Sequence, residues 1–376
     1  MVSYSVYQQI TNDPEHTYKL MQLPPDLLEY ITNNDKEELV LKSSITSDNL
    51  VVCSNSKTWR LRQMNHSNTA LICDNLNINV NNKFTDPLVE TGDQQQQFDN
   101  KLVGFSQCSY EYELSSTEGI IDITDLPRHS GDQLSDDTLN VDTLDWSLQQ
   151  LIDNSPISSQ EFFTKWYEYG GCIINDKVHI LTNEFITEIL YGCITILISE
   201  NINYNDDIEI LNFIQLILMQ DETMNQSIME TIIHKFGHEI KEDTFKLDHA
   251  KISKWFGIQQ LAKSSGNLIN KKEFLLHWKS SLPSFYNVSL DIQDLRGNYC
   301  SPIEDKILYV NASDLATSNL SVRFVQLFQL DKNWNYDDFI PFIADFVPNG
   351  KKVDSVILKY ARKKKITKDK YLIVPR

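Results

Sequence analysis

The chain has 376 residues, of which 41% are hydrophobic and 23% are charged, and its formal net charge is −18. This length excludes a single small module, since one domain averages about 150 residues, and the low Gly and Pro content excludes a collagen-like or low-complexity chain. The average charge argues against nucleic acid as a partner, because an acidic surface repels a polyanion.

The N-terminal segment MVSYSVYQQI has neither the basic start nor the apolar core of a signal peptide. The six cysteines include no CxxC pair, so their spacing indicates neither a zinc ribbon nor a redox motif. Together these features predict an intracellular protein with reduced cysteines.

Residues 1–80 are predicted to form a small β region. Short apolar runs between residues 18 and 73 alternate with clusters of Asn, Asp and Ser, the pattern of strands and turns. In the run at residues 58–63, Trp59 and Leu61 fall on one face, as in a half-buried strand. About five such strands do not obviously close a barrel, so we expect an edge that another chain can pair with.

Residues 81–143 are predicted to be a linker-rich region. The segments 81–101 and 128–143 are polar and aperiodic, with few apolar anchors. Between them, residues 109–114 are predicted as one further strand.

From residue 144 onward the hydrophobic pattern is largely helical. Residues 185–198 form an apolar helix that is too short to cross a bilayer, so we assign it to a core. Residues 172–174 and 178–180 are predicted to form a tight hairpin around Asn175, Asp176 and Lys177. The pattern of helices followed by a strand pair predicts winged-helix domains at residues 144–224, 225–312 and 313–376. The predicted fold class is α+β, a small N-terminal sheet or barrel-forming region followed by an array of about three winged-helix domains.

The last predicted domain has the clearest pattern. From Val353, apolar residues recur at i, i+3, i+4 and i+7, which places Lys359, Arg362 and Lys363 on the opposite side of a helix. A short hairpin follows at residues 366–374. Trp334 lies between two helices with converging apolar faces and is predicted to be buried.

Basic residues concentrate at the C-terminal end. Residues 351–376 hold ten Lys and Arg against two Asp, a charge of +8 that leaves −26 for the rest. On a winged helix this clustering predicts DNA binding through phosphates, without sequence preference, because no Asn or Gln pair is offered to base edges. The predicted DNA-binding residues are Lys351, Lys352, Lys359, Arg362, Lys363, Lys364, Lys365, Lys368, Lys370 and Arg376. A nuclear import signal at residues 363–365, or an acidic protein surface as the target, are the alternatives.

Signals for catalysis are weak. Motifs for nucleotide hydrolysis, dinucleotide binding, zincin proteolysis and α/β-hydrolase chemistry do not occur in the sequence. His234 and His238 have a metal-like spacing, but Gly237 favours an ordinary helix end. The Asp pairs at 136–137 and 206–207 are typical of caps and turns. We therefore predict a non-enzyme without catalytic residues, metal or cofactor.

Two groups of motifs are familiar. The first comprises YKL at 18–20, KTWRLRQ at 57–63 and HSNTALI at 66–72, and the second comprises FVQLF at 324–328, Trp334, DFIPF at 338–342 and KYAR at 359–362. Together they resemble the Dcc-type sister chromatid cohesion family, in order and over most of the chain.

This resemblance implies a non-catalytic accessory subunit of the alternative, cohesion-type replication factor C clamp loader. Such a subunit supports PCNA loading, recruitment to replication forks and sister chromatid cohesion in the nucleus. Its N-terminal sheet joins the small and large clamp-loader subunits in a shared β-barrel assembly. Its winged helices reach the catalytic subunit of polymerase epsilon and single- and double-stranded DNA, with no membrane partner.

Within this sequence the partner-binding surface is expected on the first motif group. The expected residues are Trp59, Arg60, Leu61, Arg62, Leu71 and Ile72. The alternative function is a free-standing winged-helix scaffold that binds protein but not DNA. Such a scaffold would be a stable monomer, whereas a clamp-loader accessory would be unstable without its partners.

Overall fold

The computed structural model divides the chain into two compact units. One comprises residues 1–124 and 146–165, and the other comprises residues 125–145 and 166–376. The described residues are 5–8, 17–33, 38–43, 50–75, 101–131, 145–221, 223–317, 319–347, 351–368 and 370–376. About half of the predicted linker-rich region, at 81–100 and 132–143, lies outside these residues.

The first unit is built on a six-stranded sheet. Its elements are β1 (Ser5–Gln8), β2 (Leu20–Gln22), α1 (Pro25–Asn33), β3 (Val40–Ser43), β4 (Leu50–Cys53), β5 (Thr58–Asn75), β6 (Lys101–Thr117), α2 (Leu148–Asp153) and the start of α3 (Ser159–Glu168). The sheet order is β1-β6-β5-β4-β3, and β2 also pairs with β6. Among the described strands the sheet is an open path, with β3 at one edge and β1 and β2 at the other.

The centre of this sheet is the long antiparallel pair β5–β6. The run at 58–63 is the start of one long strand, which continues to Asn75, and the strand predicted at 109–114 is part of β6. Register shifts between Asn65 and Ala70 and between Ile72 and Cys73 interrupt the pairing. Such bulges bend a long ribbon and increase its twist.

Both faces of the sheet are covered near Trp59. On one face, Trp59 packs with Leu27, Val52 and Leu114, and its indole donates to the Asp26 carboxylate. On the other face, the Thr58 hydroxyl donates to Glu161 of α3 at 2.6 Å. Alternation predicted a strand buried on one face only, but around Trp59 both faces of β5 are covered.

The second unit opens with a three-stranded sheet, β7-β9-β8. Its strands are β7 (Arg128–His129), β8 (Gly171–Ile174) and β9 (Lys177–Leu181). Asn175 and Asp176 both have positive φ, 50° and 62°, as a two-residue type I′ turn requires. The predicted hairpin is confirmed.

The remainder of the second unit repeats one topological order three times. The elements are α4 (Asn183–Ser199), β10 (Ile208–Glu209), α5 (Ile210–Gln220), α6 (Gln226–Phe236), β11 (Gly237–His238), β12 (Thr244–Leu247), α7 (His249–Ala262), β13 (Ile269–Asn270), α8 (Lys271–Ser281), β14 (Tyr299–Cys300), β15 (Lys306–Tyr309), α9 (Leu320–Leu330), β16 (Trp334–Asn335), α10 (Tyr336–Phe339), α11 (Val353–Tyr360), β17 (Ala361–Lys365) and β18 (Tyr371–Pro375). Short 3₁₀ turns lie at 292–295, 312–314, 340–342 and 344–346.

Each repeat runs helix, strand, helix, helix, strand, strand, with the first strand pairing antiparallel with the third. The three sheets have the orders β10-β12-β11, β13-β15-β14 and β16-β18-β17. In the second repeat, the 3₁₀ turn at Ile292–Leu295 stands where the third helix falls in the others. The α+β class predicted from the sequence is confirmed.

The repeats do not begin where the sequence pattern suggested. The predicted boundary between residues 224 and 225 falls between α5 and α6 of the first repeat, which runs from Asn183 to Leu247. Its first strand, Ile208–Glu209, has only two residues, too few to show an alternating pattern. We therefore place the boundary at the start of α7, where Asp248 caps the helix by accepting from the Lys251 amide.

The apolar helix predicted at 185–198 is α4, and it is a core element. Its buried residues are Phe185, Ile186, Ile189, Leu190, Cys193, Ile194 and Leu197. Among the helices that the structure describes, none is long and apolar enough to span a membrane.

Candidate nucleic-acid interface

The third repeat carries the basic C-terminal residues. Lys351 and Lys352 precede α11, and Lys359 lies in its last turn. Arg362, Lys363, Lys364 and Lys365 lie on β17. Lys368 and Lys370 lie between β17 and β18, and Arg376 follows β18, where its guanidinium donates to the Leu358 carbonyl at 2.9 Å.

The helix predicted to carry Arg362 and Lys363 ends at Tyr360, so that prediction is wrong. Ala361 has φ −139° and ψ 176°, and from this residue the chain is extended. Residues Ala361–Lys365 pair antiparallel with Tyr371–Pro375 over five residue pairs. The tertiary pairing with β18 overrides the helical pattern, since helix propensity is a weak prior.

Alternation along β17 separates its basic residues into two sets. Successive side chains of a strand point to opposite faces. Ala361 is buried and Lys363 is half-buried on the inner face, whereas Arg362 and Lys364 are exposed on the outer face. Lys359, in the last turn of α11, is also exposed.

Lys363 is held inside the repeat. Its Nζ lies 3.0 and 2.9 Å from the two carboxylate oxygens of Asp354 on α11. The same Nζ lies 3.8 Å from the ring centre of Tyr336 and 4.6 Å from that of Tyr371. The Tyr336 hydroxyl donates to Asp354 at 2.7 Å, which completes the cluster.

The two charged groups of this cluster shift each other's pKa. Burial by itself lowers the pKa of Lys363, but the hydrogen bond to Asp354 and the interaction with Tyr336 raise it above its usual value. The hydrogen bond from Lys363 is the main cause that lowers the pKa of Asp354. The contribution of Asp354 to folding is thus present above its unfolded pKa and lost in acid, and that of Lys363 is lost only in strong base.

Sequence reasoning missed the partners of Lys363. Tyr336, Asp354 and Tyr371 come from α10, α11 and β18, and no periodicity relates them along the chain. The available signal was strand alternation, which would have separated Lys363 from Arg362 and Lys364. The predicted helix hid that signal.

A second candidate surface lies on the first unit, where an apolar row runs across the sheet. Trp59, Val52 and Leu41 are direct partners in β5, β4 and β3. Their exposed fractions are 1%, 6% and 62%. The row is buried at the centre of the sheet and reaches solvent at Leu41 on the edge strand.

The residues predicted to bind partners occupy different environments. Trp59 is core, Arg60 and Leu61 are half-buried, and Arg62 is exposed. Further along β5, Leu71 is 44% exposed and Ile72 is half-buried. Trp59 thus supports the sheet, and the accessible part of the predicted set is Arg62 and Leu71.

The two histidines with metal-like spacing do not share a helix. Helix α6 ends at Phe236, and His238 lies on β11. The His234 ring stacks on Tyr167 with a centroid distance of 4.2 Å. Within the residues the structure describes, no group of His, Cys, Asp and Glu side chains is arranged to hold a metal ion. The helix end predicted at Gly237 is confirmed, since α6 ends at Phe236.

Comparison with known proteins decides the family. A family model described as sister chromatid cohesion protein Dcc1 matches residues 18–343, far more than half of the chain. The chain belongs to this family. The match includes the Dcc1 motifs quoted at 18–72 and 324–342, but it ends before the basic residues that begin at Lys351.

Full-length relatives of the Dcc1 family extend the likeness over the C-terminal end. The sister chromatid cohesion protein DCC1 of Saccharomyces cerevisiae is 30% identical over 379 aligned residues, which cover 98% of each chain. The probable DCC1 of Dictyostelium discoideum is 24% identical, covering 96% of this chain and 95% of the relative. Human DCC1 is 22% identical, and the alignment covers 91% of this chain and 84% of the relative.

Proposed function

We propose that this Dcc1-family chain is a non-catalytic accessory subunit of the alternative, cohesion-type clamp loader and acts in sister chromatid cohesion. In this proposal the N-terminal sheet joins the small and large clamp-loader subunits, and the repeats contact DNA and the catalytic subunit of polymerase epsilon in the nucleus. Loading of PCNA is the activity of the whole assembly, to which this chain contributes binding surfaces.

The observation that carries the proposal is the apolar row that ends at Leu41. Among the described strands β3 pairs only with β4, and its outer side offers backbone donors and acceptors to another strand. A partner strand added there would bury Leu41 and continue the hydrophobic row of Trp59 and Val52. This is β-augmentation, in which the main chain supplies affinity and side-chain pockets supply specificity.

The DNA-binding part of the proposal is supported by the third repeat. We interpret the shared order of helices and strands in all three repeats as winged-helix architecture, in which the helix before the hairpin approaches a groove. In the third repeat that helix is α11, and its hairpin β17–β18 carries exposed Arg362 and Lys364. Backbone phosphates are the chemical group that such a surface recognises, so sequence preference is not expected.

Placing a charge at the sheet edge is expected to weaken assembly with the clamp-loader subunits. Leu41→Lys should lower the affinity for the small and large subunits at least about tenfold, because an edge-strand lysine opposes strand addition. The folding of the isolated chain should change little, since Leu41 is already 62% exposed. The measurement is a titration of the labelled full chain with the co-expressed partner subunits.

The matched control is Met219→Lys, which places the same charge on α5 at a residue that is 82% exposed. Unchanged affinity in this control and a loss in Leu41→Lys would support the edge interface. Equal affinity of both variants and the natural chain would refute it.

A further inference from the structure

The four consecutive basic residues of β17, Arg362 to Lys365, are not equivalent. Lys363 pairs with buried Ile373 of β18, whereas Arg362 and Lys364 pair with Val374 and Leu372 on the other face. The Lys363 side chain is only 19% exposed, and its neighbours Arg362 and Lys364 are exposed. A phosphate that approaches the outer face therefore meets Arg362 and Lys364, and not Lys363.

The contacts of Lys363 connect the elements that carry the proposed DNA-binding surface. Asp354 belongs to α11, Tyr336 begins α10, and Tyr371 begins β18. The ammonium is hydrogen-bonded to the carboxylate and lies near the faces of both rings, so it connects the helix to the hairpin. A cation over aromatic rings and a charge-assisted hydrogen bond are both favourable, and partial burial limits their screening.

We propose that Lys363 is a positioning residue of the DNA-binding surface rather than a phosphate ligand. Through Asp354 and the two tyrosines it fixes the angle of β17–β18 against α11, so that Lys359, Arg362 and Lys364 face one nucleic-acid backbone. This inference rests on the DNA binding proposed above, and it names which basic residues of that surface carry the contact.

The decisive variant is Asp354→Asn, because two hypotheses predict opposite changes in its affinity for DNA. If only charge matters, removal of a carboxylate from the basic end raises its charge from +8 to +9 and tightens DNA binding. If Asp354 holds Lys363 in place, the same change releases the hairpin and weakens binding about fivefold. The matched control is Asp345→Asn. It removes an exposed carboxylate from the 3₁₀ turn at 344–346 of the same repeat and should not weaken DNA binding.

A double-mutant cycle tests the connection between the two residues. Lys363→Met alone should weaken binding as Asp354→Asn does, and the double variant should be no weaker than either single one, since both remove the same link. Lys364→Met should instead reduce the slope of log affinity against log salt by about 0.9, as expected for one lost phosphate contact.

The measurement is fluorescence anisotropy of the full chain on a labelled 20-base-pair duplex over a salt series, together with amide hydrogen exchange. Weaker binding of Asp354→Asn, with faster exchange confined to β17–β18, supports the inference. Unchanged or tighter binding of Asp354→Asn overturns it. If exchange accelerates throughout the repeat, Tyr336→Phe replaces that variant, since it keeps the ring but loses the hydroxyl, which bonds Asp354 and interacts with Lys363. Tyr336→Phe must then weaken binding, and unchanged affinity overturns the inference. Salt-independent binding of the natural chain would instead refute the DNA-binding part of the proposed function.

Discussion

Replacing Trp334 by alanine should cost the third repeat between about 3 and 5 kcal/mol, the usual range for removing a buried tryptophan. The indole is 1% exposed and lies edge-on to Phe339 and Phe342, with centroid distances of 5.6 and 5.3 Å. Its Nε1 donates to the Leu327 carbonyl at 2.9 Å. The substitution thus leaves a cavity and removes the indole hydrogen bond to the Leu327 carbonyl, which keeps its bond from the Asp331 amide.

Hydrogen exchange is the suitable measurement for this variant, because a chain with two units need not unfold in a single transition. A loss of 3 kcal/mol corresponds to exchange that is roughly 100-fold faster in α9. The control is Val325→Ala on the same helix, where the side chain is 56% exposed and the expected loss is below about 0.5 kcal/mol. A loss below about 1 kcal/mol in Trp334→Ala would mean that the indole does not hold α9 and α10 together.

The second large effect is expected when the exposed positive surface is reversed in sign. With about four phosphate contacts, log affinity should fall with log salt at a slope near −3.6. A triple variant that combines Lys359→Glu, Arg362→Glu and Lys364→Glu should reduce the magnitude of that slope by about 2.7. It should also abolish measurable DNA binding at physiological salt. Assembly with the clamp-loader subunits should persist, since we propose that interface on the N-terminal sheet.

The control for this triple variant is the same change in charge on the second repeat. Lys254, Lys272 and Lys279 are exposed residues of α7 and α8, and their reversal should leave most of the salt slope intact. An unchanged slope in the triple variant of the third repeat would contradict phosphate binding there. The basic surface would then fit an acidic protein partner or a nuclear import receptor.

Local signals in the sequence predicted the parts of the fold that local physics determines. The hairpin at Asn175 and Asp176 follows from residues that tolerate positive φ, and α4 follows from the apolar run at 185–198. The burial of Trp334 followed from two converging apolar faces. Each of these features needs only residues close in the chain.

Features that depend on distant partners could not be obtained in this way. Strand β10 has two residues and exists because Phe245 and Thr244 pair with it. The end of α11 at Tyr360 depends on β18, which turns a run with helical periodicity into a strand. The environment of Lys363 depends on three residues from three elements. Net charge located the cluster of basic residues at the C-terminal end, but it did not separate half-buried Lys363 from exposed Arg362 and Lys364.

The most direct test of the proposed function is co-expression of the full chain with the small and large subunits of the alternative clamp loader, followed by size-exclusion chromatography with light scattering. We expect one complex that contains all three chains, retained by the triple variant of the third repeat and lost or weakened by Leu41→Lys. Elution of the natural chain as a separate, stable monomer in the presence of both subunits would contradict it.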